Sequence, residues 1–255
     1  MARVLVTGSA TGLGRLGAIE LLDAGHEVVV HARNEQRAGE MTDLADRGAE
    51  LVVGDLAVRA EVRGLADQVG ALAPLDAVIH NAGLYVDADR RATPDGHARV
   101  LAVNVLAPYL LTSWIERPAR LIYLSSGMHH DGDPSLDDID WTDRRWNGVQ
   151  AYRDSKLFVT ALAAEVADRW SGTLANAVDP GWVPTRMGGS GATDDLTLGH
   201  QTQSWLAVSD DATARVSGGY WYHQRQQPPH DAVGDPAVRA ALIDRLAELT
   251  GVELI

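Results

Sequence analysis

The sequence predicts an α/β domain, a doubly wound parallel sheet of seven strands with helices on both faces. Three observations carry that expectation. Short β-branched runs alternate with longer amphipathic stretches of helical period along all 255 residues, which is the pattern of strand–helix–strand units. A glycine-rich turn follows the first strand and opens the first helix. No composition break, internal repeat or low-complexity linker divides the chain, so residues 1–255 read as a single domain.

Strands are expected over 3–7, where Val4-Leu5-Val6 forms an apolar run, and then over 27–32, 49–53, 77–80, 120–124, 174–178 and 219–222. Helical periodicity places helices near 14–24, 35–47, 58–70, 96–113, 150–170 and 236–250. Asp235-Pro236 supplies a cap and a first-turn proline for the last of these, and Gly251 supplies its stop. Two longer irregular stretches, near 127–149 and 182–202, are expected to face substrate. They hold Trp141, Trp146, Trp182, Met128 and Met187 in a chain with one phenylalanine, which points to a largely apolar aldehyde or ketone.

Composition excludes several functions. A net charge of −13 repels phosphate backbones and anionic lipid, so neither nucleic acid nor a membrane surface is an expected partner. The absence of cysteine excludes disulfides, thiolate catalysis and thiolate metal sites. With no signal peptide pattern and no unbroken apolar span, the expected compartment is cytoplasmic.

The lysine content is the most telling single feature. Lys156 is the only lysine, the remaining basic residues all being arginine, and it follows Tyr152 by four positions. On a helix that spacing puts an ammonium and a phenol on one face. Lysine is a compact charge whose pKa moves readily, whereas arginine is a permanently charged fork. A nearby cation favours tyrosinate and lowers the phenol pKa from its ordinary value near 10, as proton transfer to or from a reacting oxygen requires.

A nucleotide cradle is equally legible. Gly8, Gly12 and Gly14 follow the first strand directly, allow a tight turn and bring the backbone close to a diphosphate at the helix N-terminus. The end of the second strand reads Val30-His31-Ala32-Arg33-Asn34, with Arg33 beside the position where an acidic residue would select NAD(H). A guanidinium there favours a ribose 2′-phosphate, so NADP(H) is the expected cofactor, with NAD(H) as the alternative. Arg15 is either an assistant to Arg33 or a solvated helix residue.

Thr7-Gly8-x3-Gly12-x-Gly14, Asp55-Leu56, Asn81-Ala82-Gly83, Asn104, Ser125-Ser126, Tyr152-x3-Lys156 and Pro180-Gly181 occur in that order. Over nearly its whole length the chain thereby resembles the short-chain dehydrogenase/reductase family, whose domain is of the Rossmann type. The run from Leu124 to His129, followed by a Trp-containing insertion, resembles its retinol-dehydrogenase-like branch. The resemblance implies a catalytic tetrad of Asn104, Ser126, Tyr152 and Lys156. Tyr152 would be the general acid or base, Ser126 would bond the substrate oxygen, and Lys156 would also bond the nicotinamide ribose. Asn104 would hold a water that links Lys156 to solvent. It implies cofactor contacts at Gly8, Ser9, Thr11, Gly12, Leu13, Arg33, Asp55, Leu56, Asn81, Ala82, Gly83, Tyr152, Lys156, Pro180, Gly181, Val183 and Thr185. His80 stands where the family's usual first asparagine would be.

His129-His130 with Asp131 and Asp133 does not make a metal site, because adjacent histidines splay apart and no third ligand is suitably spaced. The expected function is NADP(H)-dependent interconversion of a carbonyl and an alcohol on a small-molecule substrate. The alternatives are an NAD-dependent alcohol dehydrogenase and a non-catalytic NADP-sensing regulator. The resemblance also implies a homodimer or homotetramer. The stripe Leu157, Phe158, Leu162 and Val166 would serve that contact or pack on the chain's own sheet.

Overall fold

A computed structural model describes residues 1–254. In chain order the first half comprises β1 (Arg3–Val6), α1 (Gly12–Asp23), β2 (Glu27–Ala32), α2 (Glu35–Gly39), α3 (Thr42–Asp46), β3 (Glu50–Val53), α4 (Arg59–Gly70) and β4 (Ala77–His80). It continues through α5 (Arg99–Leu101), a π-helical stretch over Ala102–Leu106, and α6 (Ala107–Trp114). The second half holds β5 (Arg120–Leu124), α7 (Gly148–Arg169), β6 (Leu174–Asp179), α8 (Leu196–Val208), β7 (Tyr220–Tyr222), β8 (Arg225–Gln227), α9 (Asp231–Gly234) and α10 (Pro236–Thr250).

The strands form one sheet in the order β3-β2-β1-β4-β5-β6-β7-β8. Neighbours from β3 to β7 pair in parallel. The order reverses direction between β1 and β4, which opens a crevice at the carboxyl ends of the strands. Central strands are buried on both faces: Val4, Leu5 and Val6 are all inaccessible. One apolar layer packs beneath α4, α6, α7 and α10, and the other beneath α1 and α8.

The expected seven strands become eight. β8 runs antiparallel to β7 with Tyr222 opposite Arg225, and His223 and Gln224 turn the hairpin at φ 46° and 60°. A two-residue turn of this kind is usually signalled by Asn-Gly or Asp-Gly, so its residues here gave no hint. The helix expected over 35–47 divides at Glu40–Met41 into α2 and α3. The last third of the expected loop over 182–202 belongs to α8, capped by Asp195, whose carboxylate accepts from Thr197 N and Leu198 N at 2.7 and 3.0 Å. Gly199 masked that helix in the sequence, and packing explains it: a Cβ there would stand 2.7 Å from Val183. The expected boundaries of α10 are found, with Asp235 accepting from Ala237 N at 2.8 Å and Gly251 left-handed at φ 63°.

Leu157, Phe158, Leu162 and Val166 are at most 3 % exposed within the single chain. The stripe therefore packs on its own sheet. No helix among the described residues is long and apolar enough to cross a membrane.

Candidate active site

The strand ends carry a cavity of about 560 Å³. At one end lies the glycine turn. Gly8 is left-handed at φ 68°, and a Cβ on it would stand 2.9 Å from Ala82 Cα. Gly14 is as tightly held, since a Cβ would collide with Asn81 Nδ2, which donates to Thr7 O at 2.9 Å. Thr11 caps α1 without a side-chain hydrogen bond, and no acidic residue occupies the first turn. The N-terminal N–H groups of α1 therefore open on the cavity with their positive end dipole. Of the expected cofactor residues, Gly8, Thr11, Gly12, Leu13, Arg33, Asp55, Leu56, Asn81, Ala82, Gly83, Tyr152, Lys156, Pro180 and Thr185 line this cavity together.

Some expected cofactor residues turn away. Ser9 is inaccessible, its hydroxyl donating to Val6 O at 2.5 Å and accepting from His31 N at 2.8 Å. Val183 is 4 % exposed and packs toward Gly199, and Gly181 is not part of the lining. Arg15 does not reach the cavity; its guanidinium pairs with Asp43 at 2.5 Å. Sequence reasoning missed His31, Arg37, Tyr85 and Arg186, which also line the walls, and Met187 of the expected substrate loop joins them. His31 braces the turn, accepting from Gly8 N at 3.0 Å through Nδ1 and lying 2.8 Å from Gly54 O through Nε2. Burial lowers its pKa, consistent with a neutral ring that accepts at Nδ1.

Tyr152 and Lys156 project from the first half of α7, 6 % and 5 % exposed. The Ser126 side chain stands near the Tyr152 hydroxyl and favours its ionised form. Ser126 caps the short helical turn over Gly127–Asp131 and accepts from Met128 N at 3.2 Å. Lys156 Nζ donates to Leu124 O at 2.8 Å and lies 5.6 Å from the centre of the Tyr152 ring. Asn104 lies in the π-helical stretch; such bulges are frequent at functional sites. Its Nδ2 donates to Leu84 O and to Ser155 Oγ, both at 3.0 Å, and its Oδ1 accepts from Leu84 N at 2.8 Å. A Cβ on Gly83 would lie 3.5 Å from both Asn104 Oδ1 and Lys156 Nζ. Tyr152 and Lys156 thus line the cavity, while Ser126 and Asn104, from two other segments, stand beside them without being part of its lining.

The expected depression of the phenol pKa is not found in the protein on its own. Burial pushes Tyr152 up to about 12, with Ser126 opposing and Asp179 and Tyr85 adding to the rise. Burial likewise pushes Lys156 down to about 8, opposed by Asp179. Loss of hydration penalises each charged form, and it is the largest cause of both shifts.

The loop over 127–149 also departs from expectation. Trp141 is 6 % exposed and lies edge-on to Trp146 at 5.6 Å, with the Arg144 guanidinium 3.6 Å above its ring. With Val100, Ala151 and Met128 these rings form a small core behind Tyr152. Only Trp182 and Met187, 56 % and 46 % exposed, face outward. His129 uses both nitrogens internally, Nδ1 toward Ser126 O at 2.8 Å and Nε2 accepting from His230 N at 3.0 Å. His80 is buried against the Tyr123 ring at 4.8 Å.

Known proteins resemble the chain over nearly its whole length. Residues 2–120 match the short chain dehydrogenase family. A short-chain dehydrogenase of Gibberella zeae is 37 % identical over 100 % of the chain and 99 % of its own length. Human retinol dehydrogenase 13 is 30 % identical over 98 % of the chain and 85 % of its own. Among solved structures, an active-site complex of Pseudomonas aeruginosa RhlG with NADP superposes with a TM-score of 0.67 at 25 % identity, covering 86 % of this chain and 93 % of that one. With its sheet order, glycine turn and full-length relatives agreeing, the chain belongs to the short-chain dehydrogenase/reductase family of oxidoreductases, in its retinol-dehydrogenase-like branch.

Proposed function

We propose that the protein reduces an aldehyde or ketone to the alcohol with NADPH, and runs the reverse reaction with NADP+. The observation that carries this reading is that Tyr152 and Lys156, with Ser126 and Asn104 beside them, line the same cavity as an uncapped helix N-terminus.

The cavity residues fit a dinucleotide by their chemistry. The N–H groups of α1 would take the diphosphate, Asp55 and Leu56 the adenine, and Lys156 the nicotinamide ribose. Arg33 and Arg37 both line the cavity, and a 2′-phosphate beside them would receive charge-assisted hydrogen bonds. The RhlG complex with NADP supports that preference. A nicotinamide held there supplies the hydride for reduction and receives it in the reverse direction.

Ser126 would orient the substrate oxygen by a hydrogen bond and share it with Tyr152. Tyr152, held protonated at neutral pH by burial, would give its proton to the developing alkoxide oxygen. Lys156 would offset the tyrosinate charge and, through its own proton, help restore the phenol. Asn104 would hold the Leu84 segment against Ser155, keeping the Lys156 ammonium in place. The test is to follow NADPH absorbance with a panel of aldehydes and ketones, using Tyr152→Phe as the blank. Turnover by the wild type alone supports the assignment, and turnover by both overturns it.

A further inference from the structure

Asp179, the last residue of β6, is 9 % exposed, and nothing in the motif order drew attention to it. Its Oδ1 accepts from Gly181 N at 2.9 Å and its Oδ2 from the Tyr220 hydroxyl at 3.1 Å. A second cavity of about 770 Å³ opens at this carboxylate, with Gly127, His130, Tyr220, Tyr222, His223 and Arg225 in its walls. Ser125 and Pro180 wall the first cavity, whereas Gly127 and Asp179 wall the second. The ends of β5 and β6 are therefore a shared partition, and Ser126, near the Tyr152 hydroxyl, lies between Ser125 and Gly127 on it. Gly127 keeps the carboxylate reachable, because a Cβ there would stand 3.1 Å from Asp179 Oδ2.

We propose that Asp179 is a specificity-determining acceptor in a substrate subsite. It would read a neutral hydroxyl or phenol on the part of the substrate that extends from Tyr152 over Gly127 into the second cavity. This inference rests on the carbonyl-reductase reading above. An ionised carboxylate has about four acceptor positions, and the protein uses two. Tyr220 already bonds the carboxylate as a phenol, which shows the geometry such a donor would take. An anionic substrate group would be repelled by Asp179 itself. An ammonium would meet Arg225 across the cavity and Lys156 on the catalytic side, where Asp179 already stabilises one buried cation.

The experiment compares ring-hydroxylated with ring-methoxylated benzaldehydes and naphthaldehydes, since a methoxy group fills space but cannot donate. kcat/KM is measured with NADPH, and binding of the same pairs to the NADP+-loaded protein is measured by calorimetry. A hydrogen bond to a charged acceptor predicts a preference of about 10-fold or more for the hydroxyl form in at least one pair. That ratio should fall toward one in Asp179→Asn. It should fall also in Gly127→Ala, which covers the carboxylate while leaving its bonds to Tyr220 and Gly181 in place. Using the ratio cancels any effect of the charge change on Lys156, and thermal melting checks that each variant folds. A wild-type ratio near one in every pair, or an unchanged ratio in folded variants, overturns the proposal. Failure of every aldehyde to oxidise NADPH would instead overturn the reductase reading, while the calorimetric ratio would still decide the role of Asp179.

Discussion

The two ends of the active-site cavity are built by different means. The glycine-turn end is largely backbone: a left-handed Gly8, a Gly14 pressed against Asn81, and the free N–H groups of α1. The region beyond Tyr152 is almost all side chain, with Tyr85 in the first cavity and Asp179 and the loops that follow β5 and β6 at the second. Backbone recognition constrains few residue types but constrains them tightly, and so leaves a sharp motif. Side-chain recognition draws single residues from many elements and leaves no local pattern. One chain therefore displays its cofactor class openly and conceals its substrate.

The largest effect expected is at the side-chain end. Tyr152→Phe should lower turnover by about 10²–10⁴-fold, the usual contribution of a positioned proton donor, with NADPH affinity within a few-fold of wild type by fluorescence titration. An equal loss of cofactor binding would break the division between the two ends.

At the backbone end, Gly14→Ala should weaken NADPH binding and lower the melting temperature together. The new Cβ would collide with Asn81 and with Gly8 O at 2.7 Å, and overpacking of that kind costs about 1–3 kcal/mol. A variant that binds and melts like wild type would show that the turn tolerates what its packing forbids.

Arg33→Ala sharpens the comparison, because the proposed choice of NADPH rests on side chains, Arg33 and Arg37, and not on the backbone turn. NADPH affinity should fall about 10- to 100-fold, the equivalent of about 1.5–3 kcal/mol for a charge-assisted contact, and NADH affinity should change little. Equal losses for both cofactors would remove the 2′-phosphate from the account.

The smallest effect is a pH dependence of stability in the cofactor-free protein. Folding lowers the Lys156 pKa from 10.5 to about 8. Between those values the unfolded chain carries the extra proton, so stability rises with pH across the interval. Tyr152, raised to about 12, acts in the opposite sense only above its unfolded value of 10. From pH 8 to 10, wild type should therefore gain stability relative to Lys156→Met in denaturant titrations. A constant difference would mean that the ammonium is better hydrated than its burial indicates.

Much of the fold was legible because strand and helix periods are local. Val4-Leu5-Val6 and the cap pair Asp235 and Gly251 declare their elements within a few residues. β8 was not legible, since His223 and Gln224 adopt left-handed angles that their types do not announce. α8 was hidden by Gly199, which is explained only by Val183 across the contact. In the site, Tyr152 and Lys156 declared themselves by helical spacing. Ser9 resembled a cofactor ligand by position yet spends its hydroxyl on Val6 and His31. Trp141 resembled a substrate contact yet lies in a private core. Asp179 sat unnoticed before Pro180 because its meaning depends on Gly127 and Tyr220, fifty-two and forty-one residues away.

By itself the sequence determined the sheet class, the glycine cradle and the phenol–ammonium pair, because each follows from steric and periodic rules acting over a few residues. Only the tertiary structure decided which side chains face the substrate and how protons are held there. Those properties come from burial and from contacts between distant segments, which set the local dielectric and the direction each group points.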